Sequence, residues 1–166
     1  MKGTETLKLD TPSDREIMVT RVLDAPRSLV FDALTTPALV LRWLYGPEDW
    51  PLAQCEIDLK PGGALRYGWR HRDEGDMGMG GVFRDVAPPE RIVHTELFDQ
   101  DWTGGETLVT TVLGEREGRT TVKSTVRYSS REARDAALET GMIAGWSQAY
   151  DRLAGLLASM HARASL

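Results

Sequence analysis

Two residues in this chain combine side-chain type and spacing in a way that suits proton transfer: His94 and Glu96, two apart in the run RIVHTELFD. In a strand, residues two apart point to the same face. If that face turns into an apolar interior, the surround favours the protonated carboxyl, and an imidazole beside it can share the proton. General acid/base catalysis uses such pairs. The same spacing also fits an ion pair with an arginine, or a bulged strand that turns both groups to solvent. Glu96 and His94 are the candidate catalytic pair, and a Glu96→Gln change is the substitution that tests them. Other arrangements are thinner. His71, His94, His161 and Cys55 lack the spacing of metal ligands, so no metal is expected. Ser124, His94 and Asp85 have the residue types of a hydrolytic triad without a nucleophile-elbow sequence. Gly78-Met79-Gly80-Gly81 lacks the lysine and the strand-to-helix context of a phosphate loop. No cofactor is expected.

The pair needs a scaffold, and the longest amphipathic pattern supplies one. From Ser130 to His161, Leu138, Met142, Trp146, Ala149, Leu153, Leu156 and Leu157 recur at spacings of three and four, which predicts one long helix with a single apolar face. Ser129 with Glu132 fits a capping box, while Gly141 and Gly145 suggest close approach by a strand or a ligand. Before this helix the chain reads mostly as strands. EIMVTRVL (16–23) alternates; RSLVFDALTT carries a helical stripe that Pro37 halts, and a second short helix covers Ala38 to Leu44. Strands follow at Leu52–Leu59, Ala64–Arg72, Met77–Val86, Arg91–Phe98, Glu106–Glu115 and Arg119–Tyr128, separated by Pro/Gly turns. In the second of these six, Leu65, Tyr67, Trp69 and His71 share one face and the arginines the other. The glycine-rich run MGMGGVFRDV predicts a bulge of uncertain register. The polar first 14 residues read as a flexible arm whose LKL run could add an edge strand, and residues 15–160 as a single domain.

Composition narrows the function classes. With 41% hydrophobic and 27% charged residues in 166, the chain is an ordinary globular domain able to bury a core without disulfides. A net charge of −5 and the lack of a basic, aromatic-interleaved cluster argue against nucleic acid. No apolar run approaches the roughly 18 residues of a membrane span, and the polar N-terminus lacks a signal-peptide core, so no membrane insertion is expected. A lone Cys55 suits a reducing compartment, and a cytoplasmic location is the expectation.

The blocks APRSLVFDALTTPALVLRW, DLKPGGALRYGWR, GVFRDVAPPERIVHTELFD, TLVTTVL, GRTTVKSTV and GMIAGWSQAYDRLAGLL, in that order, resemble the activator of heat-shock protein 90 ATPase-like family. This family belongs to the START/polyketide cyclase/birch-pollen-allergen-like (SRPBCC) superfamily. The resemblance covers roughly Arg15 to Ala158. It implies an α+β helix-grip fold: a curved antiparallel sheet of about seven strands wrapped round the C-terminal helix, with two short helices between strands one and two and a cavity inside. The family often carries an aromatic where His94 and Glu96 stand, which implies a more polar cavity than in lipid carriers.

On that fold the inward face bears Tyr67, Trp69, His71, His94, Glu96, Phe98 and Thr111, closed from the helix side by Met142, Trp146 and Tyr150. Trp43 and Trp50 would line the mouth. The expected ligand-binding set is Trp43, Tyr67, Trp69, His71, Phe98, Thr111, Met142, Trp146 and Tyr150, and the expected occupant a small apolar or amphipathic molecule. Aromatics at these spacings fill cores as readily as they line ligand sites. Three readings stay open: a ligand-binding module, a cyclase, aromatase or dehydratase-like enzyme using Glu96 and His94, and a chaperone-activator-like interaction domain. The protein is expected to be a monomer or a homodimer, the latter through an edge such as the Met77–Val86 strand.

Overall fold

The computed structural model describes residues 7–45, 49–101 and 104–164, with side chains to residue 161. Residues 1–6 of the expected arm therefore lie outside the described residues. Strand β2, Glu16–Leu23, shows why alternation sets the sheet: Ile17, Val19, Arg21 and Leu23 are buried and the residues between them are not. On one side β2 pairs with β1, Lys8–Asp10, which puts the LKL run on an edge as expected. On the other it pairs with β8, Arg119–Arg127. The remaining strands are β3 (Leu52–Ile57), β4 (Ala64–His71), β5 (Gly75–Ala87), β6 (Arg91–Phe98) and β7 (Thr107–Arg116). All pair antiparallel in the order β1-β2-β8-β7-β6-β5-β4-β3. The sheet thus has eight strands where about seven were expected, β1 being the addition. Its edges are β1 and β3, so the Met77–Val86 run lies inside the sheet and cannot serve as a free dimerisation edge.

Two short helices, α1 (Arg27–Thr35) and α2 (Pro37–Val40), follow β2. Pro37 ends α1 and also opens α2 at its first turn, where its missing N–H costs nothing. The glycines of β5 answer to close neighbours. A Cβ on Gly81 would collide with the Thr95 carbonyl, and one on Gly78 with the Arg66–Asp99 pair on the outer face. The bulge falls at Phe83/Asp85, and at Val82 the backbone N–H bonds the Thr95 hydroxyl at 3.0 Å.

The C-terminal helix is broken where one continuous helix was expected. Helix α3 runs Arg131–Glu139, and α4 Met142–Ala164. At the junction the Thr140 hydroxyl takes the Ala137 carbonyl at 2.6 Å and Gly141 adopts φ +78°. That left-handed geometry suits glycine and ends α3 as a C-terminal cap does. The cap at the start is Ser130, whose side chain accepts from the Ala133 N–H at 3.0 Å, and Ser129 instead donates to the Gly104 carbonyl. The N-cap is therefore Ser130 in place of Ser129, and with Ala133 three residues on it is a simple cap and not a capping box.

Helix α4 lies in the curve of the sheet. Ala149, Tyr150, Leu153, Leu156 and Leu157 join Leu23, Val30, Leu65, Phe83, Ile92, Leu113 and Val122 in the larger core cluster. Each such aliphatic side chain, fully buried, is worth about 1.5–3 kcal/mol. A smaller cluster, Ile17, Val19, Val109, Val126, Tyr128 and Ala137, sits under α3 and the start of α4. Trp146 packs against both clusters.

Candidate functional site

Between the two clusters, under the first turns of α4, the aromatic side chains leave space unfilled. The main cavity measures about 470 Å³ and is lined from α4 by Met142, Gly145, Trp146 and Ala149. Strand alternation places the opposite wall: Tyr67 and Trp69 on β4, Met77 and Met79 on β5, Glu96 and Phe98 on β6, Val126 and Tyr128 at the end of β8. Leu44, Tyr45 and Trp50 from the segment after α2 complete it. Tyr67 stands edge-on to Trp69 at 6.0 Å between ring centroids, and Trp69 stacks on Phe98 at 6.2 Å. The Trp69 indole N–H donates to the Leu44 carbonyl at 3.0 Å, fixing that ring's orientation.

Behind it lies an inner chamber of about 110 Å³, with Trp43, His94, Thr111, Ser124 and Tyr150 in its wall. Leu44, Tyr67, Glu96 and Trp146 belong to both walls, so Glu96 stands where the two spaces meet. The inner chamber holds the polar groups. Thr111 and Ser124 share a hydrogen bond at 3.0 Å across paired strands β7 and β8, and Tyr150 interacts with Ser124 and Trp146. Burial raises the Tyr150 phenol from its ordinary range despite those hydrogen bonds and nearby Arg21.

His94 and Glu96 meet at 2.8 Å, Nε2 to Oε2, with side chains 13% and 24% exposed. The same-face spacing is thus realised, and the partner each finds is the other. His94 Nδ1 is buried with no hydrogen-bond partner among the described residues. With Nε2 on a carboxylate and no acceptor at Nδ1, the hydrogen-bond pattern assigns the proton to Nε2.

One expected binding residue, His71, sits elsewhere, and Trp43 lies deeper than the expected mouth, in the wall of the inner chamber. His71 faces Asp49, at 3.0 Å, and Glu74, at 3.4 Å, while Nδ1 accepts from the Asp73 and Glu74 N–H groups and the ring packs on Trp50. It braces the β4–β5 turn and is absent from both cavity walls. Trp43 is not at a mouth: it is 4% exposed, donates to the Ala33 carbonyl at 2.9 Å and stands edge-on to Tyr150 at 5.7 Å. Trp43→Phe, which strands that carbonyl and removes ring area, is expected to cost about 1–3 kcal/mol in urea unfolding while leaving cavity affinity within about twofold. Tyr67, Trp69, Phe98, Met142 and Trp146 line the main cavity, and Trp43, Thr111 and Tyr150 the inner chamber. Pattern reading missed Met77, Met79 and Tyr128 as wall residues. The two methionines alternate with glycines on β5, a signal that the uncertain register hides, and Tyr128 follows the last residue of β8.

Burial, then the Glu96 charge, pushes the Tyr128 phenol up to about 12, and the same causes with Cys55 raise Tyr67 further. An unfolded tyrosine ionises near 10 while these two stay protonated to higher pH in the folded state, so ionisation favours unfolding and stability falls as pH rises from about 10, up to about 12 for Tyr128 and beyond it for Tyr67. An alkaline absorbance titration at about 295 nm should show both phenolates emerging only as the fold is lost, and at lower pH for Tyr128 in Glu96→Gln. The Cys55 thiol is pushed up to about 11 by burial and Glu56, which disfavours its thiolate form. No group of metal-ligating side chains occurs among the described residues, and no helix there is long and apolar enough to cross a membrane.

A sheet gripping a C-terminal helix is shared with known proteins. The family model for Activator of Hsp90 ATPase homolog 1-like protein matches residues 24–158. The chain belongs to this family. Its helix-grip architecture is that of the SRPBCC superfamily. A Rhodobacter sphaeroides protein of solved structure is 34% identical, with a TM-score of 0.88, covering 93% of this chain and 99% of its own. The AHSA1-like protein from Aeromonas hydrophila, 17% identical, has a TM-score of 0.65 over 84% of this chain and 94% of its own, and shares the fold. CalU16 from Micromonospora echinospora is 20% identical with a TM-score of 0.59 over 96% and 88%. No curated protein matches the chain.

Proposed function

We propose that this family member is a small-molecule binding protein that takes an apolar or amphipathic ligand into the cavity between its sheet and α4. The observation that carries the reading is the unfilled space of about 470 Å³, walled by aromatic and methionine side chains with Glu96 as its carboxyl group among the described residues. Its volume falls in the range of small-molecule sites, about 300–1,000 Å³, and so does its character, largely apolar with a few polar groups. Methionines at 77, 79 and 142 can adapt to ligand shape. The neutral fluorophore N-phenyl-1-naphthylamine is the test. It should bind with 1:1 stoichiometry and quench tryptophan fluorescence, and Trp146→Ala should change its affinity. An affinity indifferent to Trp146→Ala would move the search to the surface.

A second reading, an enzyme of the cyclase, aromatase or dehydratase kind, draws on the 2.8 Å His94–Glu96 contact. In it Glu96 accepts a proton from a substrate held in the cavity, and His94 holds the carboxylate in place. With Nε2 committed to Glu96 and Nδ1 buried, Glu96 is the member of the pair that can touch a substrate. Glu96→Gln separates the two: an enzyme loses turnover with binding kept, whereas a binder changes only in affinity.

A further inference from the structure

The main cavity pairs an aromatic wall with a single carboxyl group among the described residues. Around it stand Trp50, Tyr67, Trp69, Phe98, Tyr128 and Trp146, and no lysine or arginine is in the wall among the described residues. Glu96 enters that wall, and among the described residues its only ion-pairing partner is His94. That partner is an imidazole, and no lysine or arginine pairs with Glu96 among the described residues. Its Nε2 is committed to Glu96 at 2.8 Å, and its Nδ1 is buried without a hydrogen-bond partner there. Arg21, the one lysine or arginine buried among the described residues, is engaged by Asp151 at 2.9 Å and belongs to neither cavity wall, and Arg152 is held over the Tyr45 ring, 3.8 Å from its centroid. The Glu96 charge nevertheless reaches into the cavity, since it contributes to holding the Tyr67 and Tyr128 phenols protonated.

A carboxylate turned towards an apolar space is costly until a positive group meets it. Aromatic faces attract the same kind of group, most strongly where water is excluded. We infer that the ligand is an organic cation: an amine or ammonium nitrogen on an apolar body, the nitrogen beside Glu96 and the body among Trp69, Phe98 and Trp146. This rests on the reading of the cavity as a ligand site and narrows the class of molecule it takes. Hydroxylated ligands could also donate to Glu96, but they would leave its charge uncompensated and gain nothing from the ring faces.

The experiment uses three probes with one apolar body: 4-phenylbutylamine, 4-phenylbutan-1-ol and 4-phenylbutyrate, titrated by calorimetry near neutral pH against the full chain and Glu96→Gln. The amine should bind about tenfold tighter than the alcohol, and the carboxylate weakest. In Glu96→Gln the preference for the amine over the alcohol should fall to about twofold or less, the alcohol itself being little changed. The wild-type ranking needs no variant to fold. An alcohol or carboxylate that equals the amine in the wild-type protein, or an amine preference that survives Glu96→Gln, overturns the cationic class and leaves the cavity standing as a site. Failure of all three to bind overturns the cavity reading and this inference with it.

Discussion

Replacing Gly145 with leucine is expected to weaken N-phenyl-1-naphthylamine binding at least tenfold while raising the melting temperature. Gly145 lies in α4 with its backbone in the cavity wall, so a leucine there places its side chain in space a ligand would occupy. Glycine inside a helix costs about 0.8–1 kcal/mol relative to a good helix former, and leucine recovers most of that. For a chain of this length about 1 kcal/mol moves the transition by roughly 2–4 °C. The two observables therefore move in opposite directions. A generally damaged protein would lose both affinity and stability, and one whose ligand sits outside the cavity would keep its affinity. Thermal unfolding with and without the probe reads both quantities in one experiment. Unchanged probe binding in Gly145→Leu would mean that the space under α4 is not where the molecule goes.

The second large effect is on stability and runs against simple contact counting. Arg21 is 1% exposed on the inward face of β2 and donates to Asp151 of α4 at 2.9 Å, while Asp151 itself is 65% exposed. Its Nε is buried without a partner among the described residues. Removing the acid leaves a guanidinium buried with nothing to offset its lost hydration. Breaking a fully buried pair costs about 3–5 kcal/mol. Because water can follow the exposed Asp151 into the gap, Asp151→Ala is expected to cost about 2–3 kcal/mol, or roughly 4–12 °C. Arg21→Met removes the charge and the orphaned Nε together and keeps an unbranched chain in the space, so it should change stability by about 1 kcal/mol or less. The double variant should recover most of what Asp151→Ala loses. Urea unfolding of the three variants decides it: an Arg21→Met cost exceeding that of Asp151→Ala would mean that the ion pair, and not the burial of an unpaired charge, dominates.

Alternation and helical spacing carried the fold because burial imposes them directly. The β4 and β8 patterns, where Tyr67 and Trp69 or Val122 and Ser124 turn inward, follow from one sheet face being covered by α4. The α3/α4 break was written in Thr140-Gly141, yet a helical apolar stripe passes across it uninterrupted, since Leu138 and Met142 both pack against the smaller core. A glycine within a helix and a glycine ending one look alike until φ is known. His71 shows the opposite limit. Alternation placed its Cβ on the inward face, but β4 ends there, and the side chain turned to the Asp49 and Glu74 carboxylates at the sheet's rim. Trp43 was assigned to a mouth because two short helices close that end of the sheet. The free Ala33 carbonyl, which no spacing rule reveals, drew its indole inward. His94 and Glu96 were legible as a same-face pair, whereas the choice between mutual contact and an arginine depended on which arginines the bends of the sheet bring near. Arg66, two strands away, is held by Asp99 on the outer face, lowering the Asp99 carboxyl from its ordinary range.

The measurement that bears most directly on the cavity as a ligand site is a crystal structure of the protein saturated with N-phenyl-1-naphthylamine. Density for the fluorophore between Trp69, Glu96 and Trp146, with its rings against Phe98 and the methionines of β5, is the predicted result. Density for it only on the outer surface, with Trp146 and Trp69 closed together over a filled interior, would contradict it.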